Sequence, residues 1–139
     1  MQNLQKRLNW DKIFQKHVAK LNKQKPVILC GDLNVFYLNI DVNNYISHKG
    51  EAGFTDEERK NMKKLLNIGF IDAFRLYPTK TEAFTFYRLN DKYKKDKDGW
   101  RLDYFLISKS LANKVRDVVH VTENAASDHF AIVLIIELI

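Results

Sequence analysis

Over residues 4–21 the apolar side chains Leu4, Leu8, Ile13, Phe14, Val18 and Leu21 recur at three- and four-residue steps, with lysine and glutamine between them. That spacing predicts a helix with one apolar stripe. Pro26 ends the pattern, and the run Val27-Ile28-Leu29-Cys30 before Gly31-Asp32 predicts a short buried strand with Asp32 at its C-terminal end. Residues 34–53 are rich in asparagine and show no clear period, which predicts a long surface loop, the kind of segment that often carries function. Thr55 and Glu58 have capping-box spacing, Asp56 and Glu57 fill the first turn, and Met62, Leu65 and Leu66 supply an apolar face before Gly69. A second helix follows. Beyond Pro78 the period shortens to that of strands, expected over residues 84–87, 102–108, 115–121 and 131–138. Neither a repeat nor a Pro/Ser-rich linker divides the chain, so these elements read as one α/β (α+β) unit with one sheet.

Composition narrows the picture. The chain has 139 residues, 45% of them hydrophobic and 29% charged, which excludes a disordered or low-complexity segment. Its net charge of +6 points toward anionic partners such as nucleic acid. One cysteine, Cys30, cannot close an internal disulfide, and the first residues are polar and basic with no apolar run behind them. The expectation is a reduced, cytoplasmic, unexported protein. The longest apolar stretch, residues 130–136, is far shorter than a bilayer span.

Strand ends hold polar side chains rigidly while leaving them open to a ligand. Three places qualify. In Gly31-Asp32-Leu33-Asn34 the carboxylate could orient water or hold a metal and the amide could bond a phosphate oxygen; the plainer alternative is an Asx turn that closes the strand. Asp103 stands alone in the apolar run Leu102-Tyr104-Phe105-Leu106 and needs a partner, for which Arg101 is the simplest structural candidate. Ser127-Asp128-His129 precedes the last strand. His129 could meet Asp103 from a neighbouring strand, leaving Asp128 free for a metal. The lysines of residues 91–99, among them Lys92 and Lys94, read as a solvated hairpin loop, with phosphate contact as the alternative.

The strings KPVILCGDLNV, GFTDEER and GWRLDYFLIS and the closing SDH resemble, in order and spacing, the exonuclease III type of apurinic/apyrimidinic endonuclease, within the endonuclease/exonuclease/phosphatase superfamily. The resemblance runs from Arg7 to nearly the end of the chain. It implies a phosphodiesterase dependent on Mg2+ (or Mn2+) that nicks DNA beside abasic sites and trims 3′ ends. By that resemblance Asp32 positions or deprotonates the attacking water, Asn34 contacts the scissile phosphate, His129 binds phosphate with Asp103 as its carboxylate partner, and Asp128 lies near the metal. Trp100 and Phe86 would line the pocket for a flipped-out abasic sugar, and Arg101, Lys92 and Lys94 would contact DNA.

The resemblance also implies a larger fold, a four-layer αββα sandwich. This chain would be its C-terminal half, a single partial domain over residues 1–139 with a single mixed sheet and flanking helices. The family's N-terminal half, with its metal-binding glutamate, has no counterpart in these motifs, so the metal site is expected to be incomplete and the chain alone inactive. One sheet without its partner leaves an apolar face uncovered, at a cost on the order of 10 kcal/mol, so self-association or a separate N-terminal half is expected to cover it. The alternative is a non-catalytic remnant or basic nucleic-acid-binding module. Glu51 stands where the family has an asparagine, and a carboxylate facing a DNA phosphate would repel it.

Overall fold

The computed structural model describes residues 2–78, 84–87, 98–121 and 127–137. Helix α1 (Gln2–Gln24) carries the predicted apolar stripe and extends a few residues past it at each end. Strand β1 (Ile28–Asp32) ends at Asp32 as the sequence implied. Helix α2 (Asp56–Asn67) is closed by the expected capping box: the Thr55 hydroxyl accepts the Glu58 N–H, and the Glu58 carboxylate accepts the Thr55 N–H. Strands β2 (Phe70–Asp72), β3 (Phe86–Tyr87), β4 (Gly99–Trp100), β5 (Asp103–Ser108), β6 (Val115–Val121) and β7 (Ala131–Ile136) complete the described elements. The class is α+β. Strand β2 escaped the sequence reading because its three residues follow Gly69 without room for a period to develop.

Strand β5 is the centre of the main sheet. It pairs antiparallel with β1, from Ile28 opposite Ile107 to Asp32 opposite Asp103, and on its other edge with β2. Strands β1 and β2 therefore run parallel to one another with β5 between them, and α2 lies in the crossover. The expected single mixed sheet is corrected in this respect. Every ladder among the described residues is antiparallel, and β3–β4 and β6–β7 form two further two-stranded ladders. The 3-10 turn Lys109–Lys114 leads the chain off the end of β5, so β6 packs near the turn Ala73–Leu76 instead of extending the sheet.

The helices cover one face of the main sheet. Val18, Met62 and Leu65 bury Phe70, Tyr104 and Leu106, with Phe14 and Leu29 packed beside them. On the other face Ala73, Phe74, Leu111 and Val118 close over Ile107, with Phe105 partly buried against them. That cover is incomplete. Ile28, Cys30 and Asp32, alternate residues of β1, are exposed on one side, and Val119, Val133 and Ile135 are exposed on the β6–β7 ladder, with Val119 directly opposite Val133. No described helix is long and apolar enough to cross a membrane.

Arg101 is the main departure from the sequence reading. Only 1% exposed, it is away from the surface and pairs elsewhere than with Asp103: its Nε donates to Asp41 at 2.8 Å and its second terminal nitrogen to Asp72 at 2.6 Å. The guanidinium lies over the Tyr104 ring, 4.4 Å from its centroid. Arg75 reaches the same Asp41 oxygen. A buried guanidinium with two buried carboxylates is stable only as a complete set, because removing one member strands the others in low dielectric. Arg101→Ala is expected to lower unfolding free energy by about 3–5 kcal/mol, measured by urea denaturation; a change below 1 kcal/mol would contradict the buried assignment.

Candidate active site

Register brings the strand-end residues together. Asp32 is the last residue of β1 and Asp103 the first of β5, and because the two strands are antiparallel the residues face each other at the same edge. Beyond Asp32 the Leu33 N–H donates to the Leu102 carbonyl at 2.9 Å, which ties the GDLN turn to the RLD segment. Asn34 adopts a left-handed backbone (φ 48°), a conformation asparagine tolerates better than most residues. In that pose its N–H donates to Asp32 Oδ1 at 2.7 Å and its side-chain amide to Asp32 Oδ2 at 3.0 Å. The Asx turn and the candidate site are thus the same structure. The second amide hydrogen of Asn34 remains for another acceptor.

Thr85 assembles the rest, and the sequence reading passed over it. Fully buried, its hydroxyl accepts the N–H groups of both Leu102 and Asp103 at 3.0 Å, while its own N–H donates to the Trp100 carbonyl and its carbonyl accepts from Phe130. The segment of β3 therefore lies between β4 and residues 128–130, and Phe86 forms a bridge with His129. The only sequence signal was a threonine between two aromatic residues, Phe84 and Phe86, which strand periodicity alone does not single out.

The outcome is a compact polar array. His129 Nδ1 lies 2.9 Å from Asp103 Oδ2, and since a carboxylate only accepts, that nitrogen carries the hydrogen. His129 Nε2 then faces Asp32 Oδ2 at 4.0 Å. This gap is too long for a hydrogen bond, yet one water oxygen reaches both groups with legs of about 2.8 Å. Burial holds the Asp32 carboxyl above the ordinary carboxylate range; Asp103 adds to that effect, while the Asn34 N–H, His129 and Arg7 act against it. The rings of Phe86 and His129 are 4.9 Å apart, those of Phe86 and Trp100 5.2 Å, and those of Trp100 and Phe36 5.0 Å, so an aromatic wall flanks the array. An open cleft of about 760 Å³ adjoins it, lined by Asn34, Phe36, Gly53, Trp100 and Leu102.

The remaining expectations fall elsewhere. Asp128 contributes its main-chain carbonyl to the Tyr87 N–H. Lys92 and Lys94 lie outside the described residues. Glu51 bonds His48 Nδ1 at 2.9 Å, so its carboxylate has a partner of its own.

A model of the endonuclease/exonuclease/phosphatase family matches residues 3–129. The chain belongs to this family. Among the family's members it is 34% identical over 139 residues to the exodeoxyribonuclease of Bacillus subtilis and 42% identical over 133 residues to recombination repair protein 1 of Drosophila melanogaster. These matches take in 99% and 95% of the chain but only 55% and 20% of the relatives. The structure of an AP endonuclease from Archaeoglobus fulgidus superposes with a TM-score of 0.84 at 26% identity, covering 94% of this chain and 53% of that one. The chain spans about half the length of the B. subtilis relative.

Because the folded midpoint of Asp32 lies above the unfolded value near 3.9, its ionisation destabilises the fold as pH rises through that midpoint. Carbon-detected titration of the Asp32 carboxyl is expected to show this elevated midpoint, and Asp103→Asn is expected to lower it by removing the second carboxylate. A rise, or no change, in that variant would contradict the shared-site geometry.

Proposed function

We propose that this chain supplies the C-terminal half of an exonuclease III type AP endonuclease, as a single partial domain over residues 1–139, and that its substrate is DNA carrying abasic sites or 3′ ends. The observation that carries the reading is the array of Asp32, Asn34, Asp103 and His129 around a gap one oxygen wide, beside an aromatic wall. In hydrolysis Asp32 would orient water and accept its proton as the water oxygen bonds to phosphorus and the P–O bond to the leaving sugar breaks, its electron pair departing on the sugar oxygen, which takes a proton from solvent. His129, its Nδ1–H held by Asp103, would donate from Nε2 to a phosphoryl oxygen as the imidazolium, and the free amide hydrogen of Asn34 would donate to another. Trp100 and Phe86 would receive the sugar.

The family implies a divalent cation, Mg2+ or Mn2+, and the residues present do not make a site for one. No three His, Cys, Asp or Glu side chains among the described residues converge on a point that could hold an ion. The oxygens of Asp32 are engaged by Asn34, and Oδ2 of Asp103 by His129. A completing carboxylate would come from the other half of the fold, which would also cover the exposed Ile28, Val119, Val133 and Ile135. Without such a partner the chain is expected to self-associate.

The test is cleavage of a duplex with one abasic site in Mg2+, with this chain alone and with the separately expressed preceding half of the B. subtilis relative. Nicking is expected only in the mixture, and Asp32→Asn and His129→Ala are each expected to reduce it by about 10²-fold or more. Activity insensitive to both variants would overturn the assignment. Salt-sensitive binding of the duplex without nicking would favour a nucleic-acid-binding module instead.

A further inference from the structure

The aromatic wall rests on a residue that the site chemistry does not use. His48, 7% exposed, sits in the loop between β1 and α2, with Nδ1 2.9 Å from Glu51 Oε2 and Nε2 3.0 Å from Asp98 Oδ1. Its ring meets the Trp100 ring edge-on, centroids 5.6 Å apart. A neutral imidazole has one N–H and one lone pair, so it can satisfy only one of two carboxylates and turns its lone pair on the other. With both nitrogens at hydrogen-bond distance from carboxylate oxygens, the ring is an imidazolium donating to each.

The three residues also join two stretches of chain. Glu51 lies in the same loop as His48, whereas Asp98 lies fifty residues away, immediately before β4 and two residues from Trp100. Asn43 donates to the Gly99 carbonyl at 3.1 Å and Val42 bridges Trp100, so the backbone docks the same loop on the same strand. Phe36 also packs against the indole, centroids 5.0 Å apart. We propose that His48, as an imidazolium clamped between Glu51 and Asp98, is a positioning residue for Trp100, and that raising pH releases the clamp and loosens the wall of the DNA pocket. The pocket assignment in that statement rests on the proposed function; the clamp does not.

Among the described residues, the ionisable groups facing His48 are Glu51 from its own loop and Asp98 from the segment entering β4, with the Trp100 indole as the uncharged third neighbour. Burial alone would lower the histidine's affinity for its proton, but the hydrogen bond to Glu51 and the charge of Asp98 outweigh it and hold the ring above the ordinary histidine value. The brace is therefore complete in acid and lost as pH rises through that elevated midpoint. It also explains how Glu51 is tolerated at a DNA-facing rim: its charge is spent on His48. Loss of the proton leaves two uncompensated carboxylates beside the pocket, so DNA affinity falls in the same pH window.

Tryptophan fluorescence reads the clamp without DNA, because a protonated imidazole against an indole quenches it. Trp10→Phe removes the other tryptophan, leaving Trp100 as sole reporter. In that background emission is expected to rise with pH around a midpoint above about 6.5. Asp98→Asn should move the midpoint down, and His48→Gln should abolish the step. A flat profile from pH 5 to 9, or a step that survives His48→Gln, would overturn the clamp. Affinity for an abasic duplex, measured by anisotropy across the same range, should fall at the same midpoint and lose that dependence in His48→Gln. A fluorescence step with pH-independent affinity would refute the link to DNA while leaving the clamp in place.

Discussion

The buried guanidinium of Arg101 is the constraint from which the rest of the site follows. It lies between Trp100, a wall of the cleft, and Asp103, the partner of His129, and is held by two carboxylates from distant parts of the chain. Asp41 comes from the loop after β1 and Asp72 from the end of β2, so one cation fixes that loop, the edge strand and the entry to β5 against one another. The Arg101 N–H also donates to the Asp41 carbonyl at 2.7 Å, adding a backbone tie. A charge this deep admits few alternative arrangements, since any move that separates it from either acid leaves an uncompensated ion in the core.

The polar chemistry at the surface is built outward from this centre. Tyr104, whose phenol burial keeps protonated, donates to the Val35 carbonyl at 2.6 Å and holds the GDLN turn down onto β5. Thr85 holds the Asp103 amide and, through Phe130, the segment carrying His129. The carboxylate of Asp103 is then set to fix the imidazole, whose far nitrogen looks toward Asp32. Each of these side chains is positioned by main-chain hydrogen bonds, the preorganisation that the proposed hydrolysis would require. Among the described residues no three His, Cys, Asp or Glu side chains converge on a metal site, and Ile28, Val119, Val133 and Ile135 remain exposed.

Much of this was legible in the sequence for a physical reason. Helices α1 and α2 announce themselves by period and by the Thr55–Glu58 cap, and a carboxylate at the end of an apolar run reads as a strand-end group. Antiparallel pairing then places Asp32 beside Asp103, an outcome that follows from register once both strands are recognised. Arg101 was misread because adjacency in sequence suggested Asp103 as its partner. In a continuous strand residues 101 and 103 would share a face; residues 101–102 instead lie between β4 and β5, where Arg101 turns into the core to meet Asp41 and Asp72. Thr85, Asp41, Asp72 and the His48 clamp were illegible because their roles arise from contacts 17 to 60 residues apart, and no local pattern marks them.

The central claim is that the buried cation positions the His129–Asp103 pair. Arg101→Lys tests it directly, because lysine keeps the charge but lacks the planar fork that spans Asp41 and Asp72. The measurement is the downfield proton resonance of His129 Nδ1–H, which persists only while Asp103 holds it. The account predicts that this resonance is lost in Arg101→Lys while the helical circular dichroism is retained. An unchanged resonance in that variant would show that the site is set without the cation and would contradict the account.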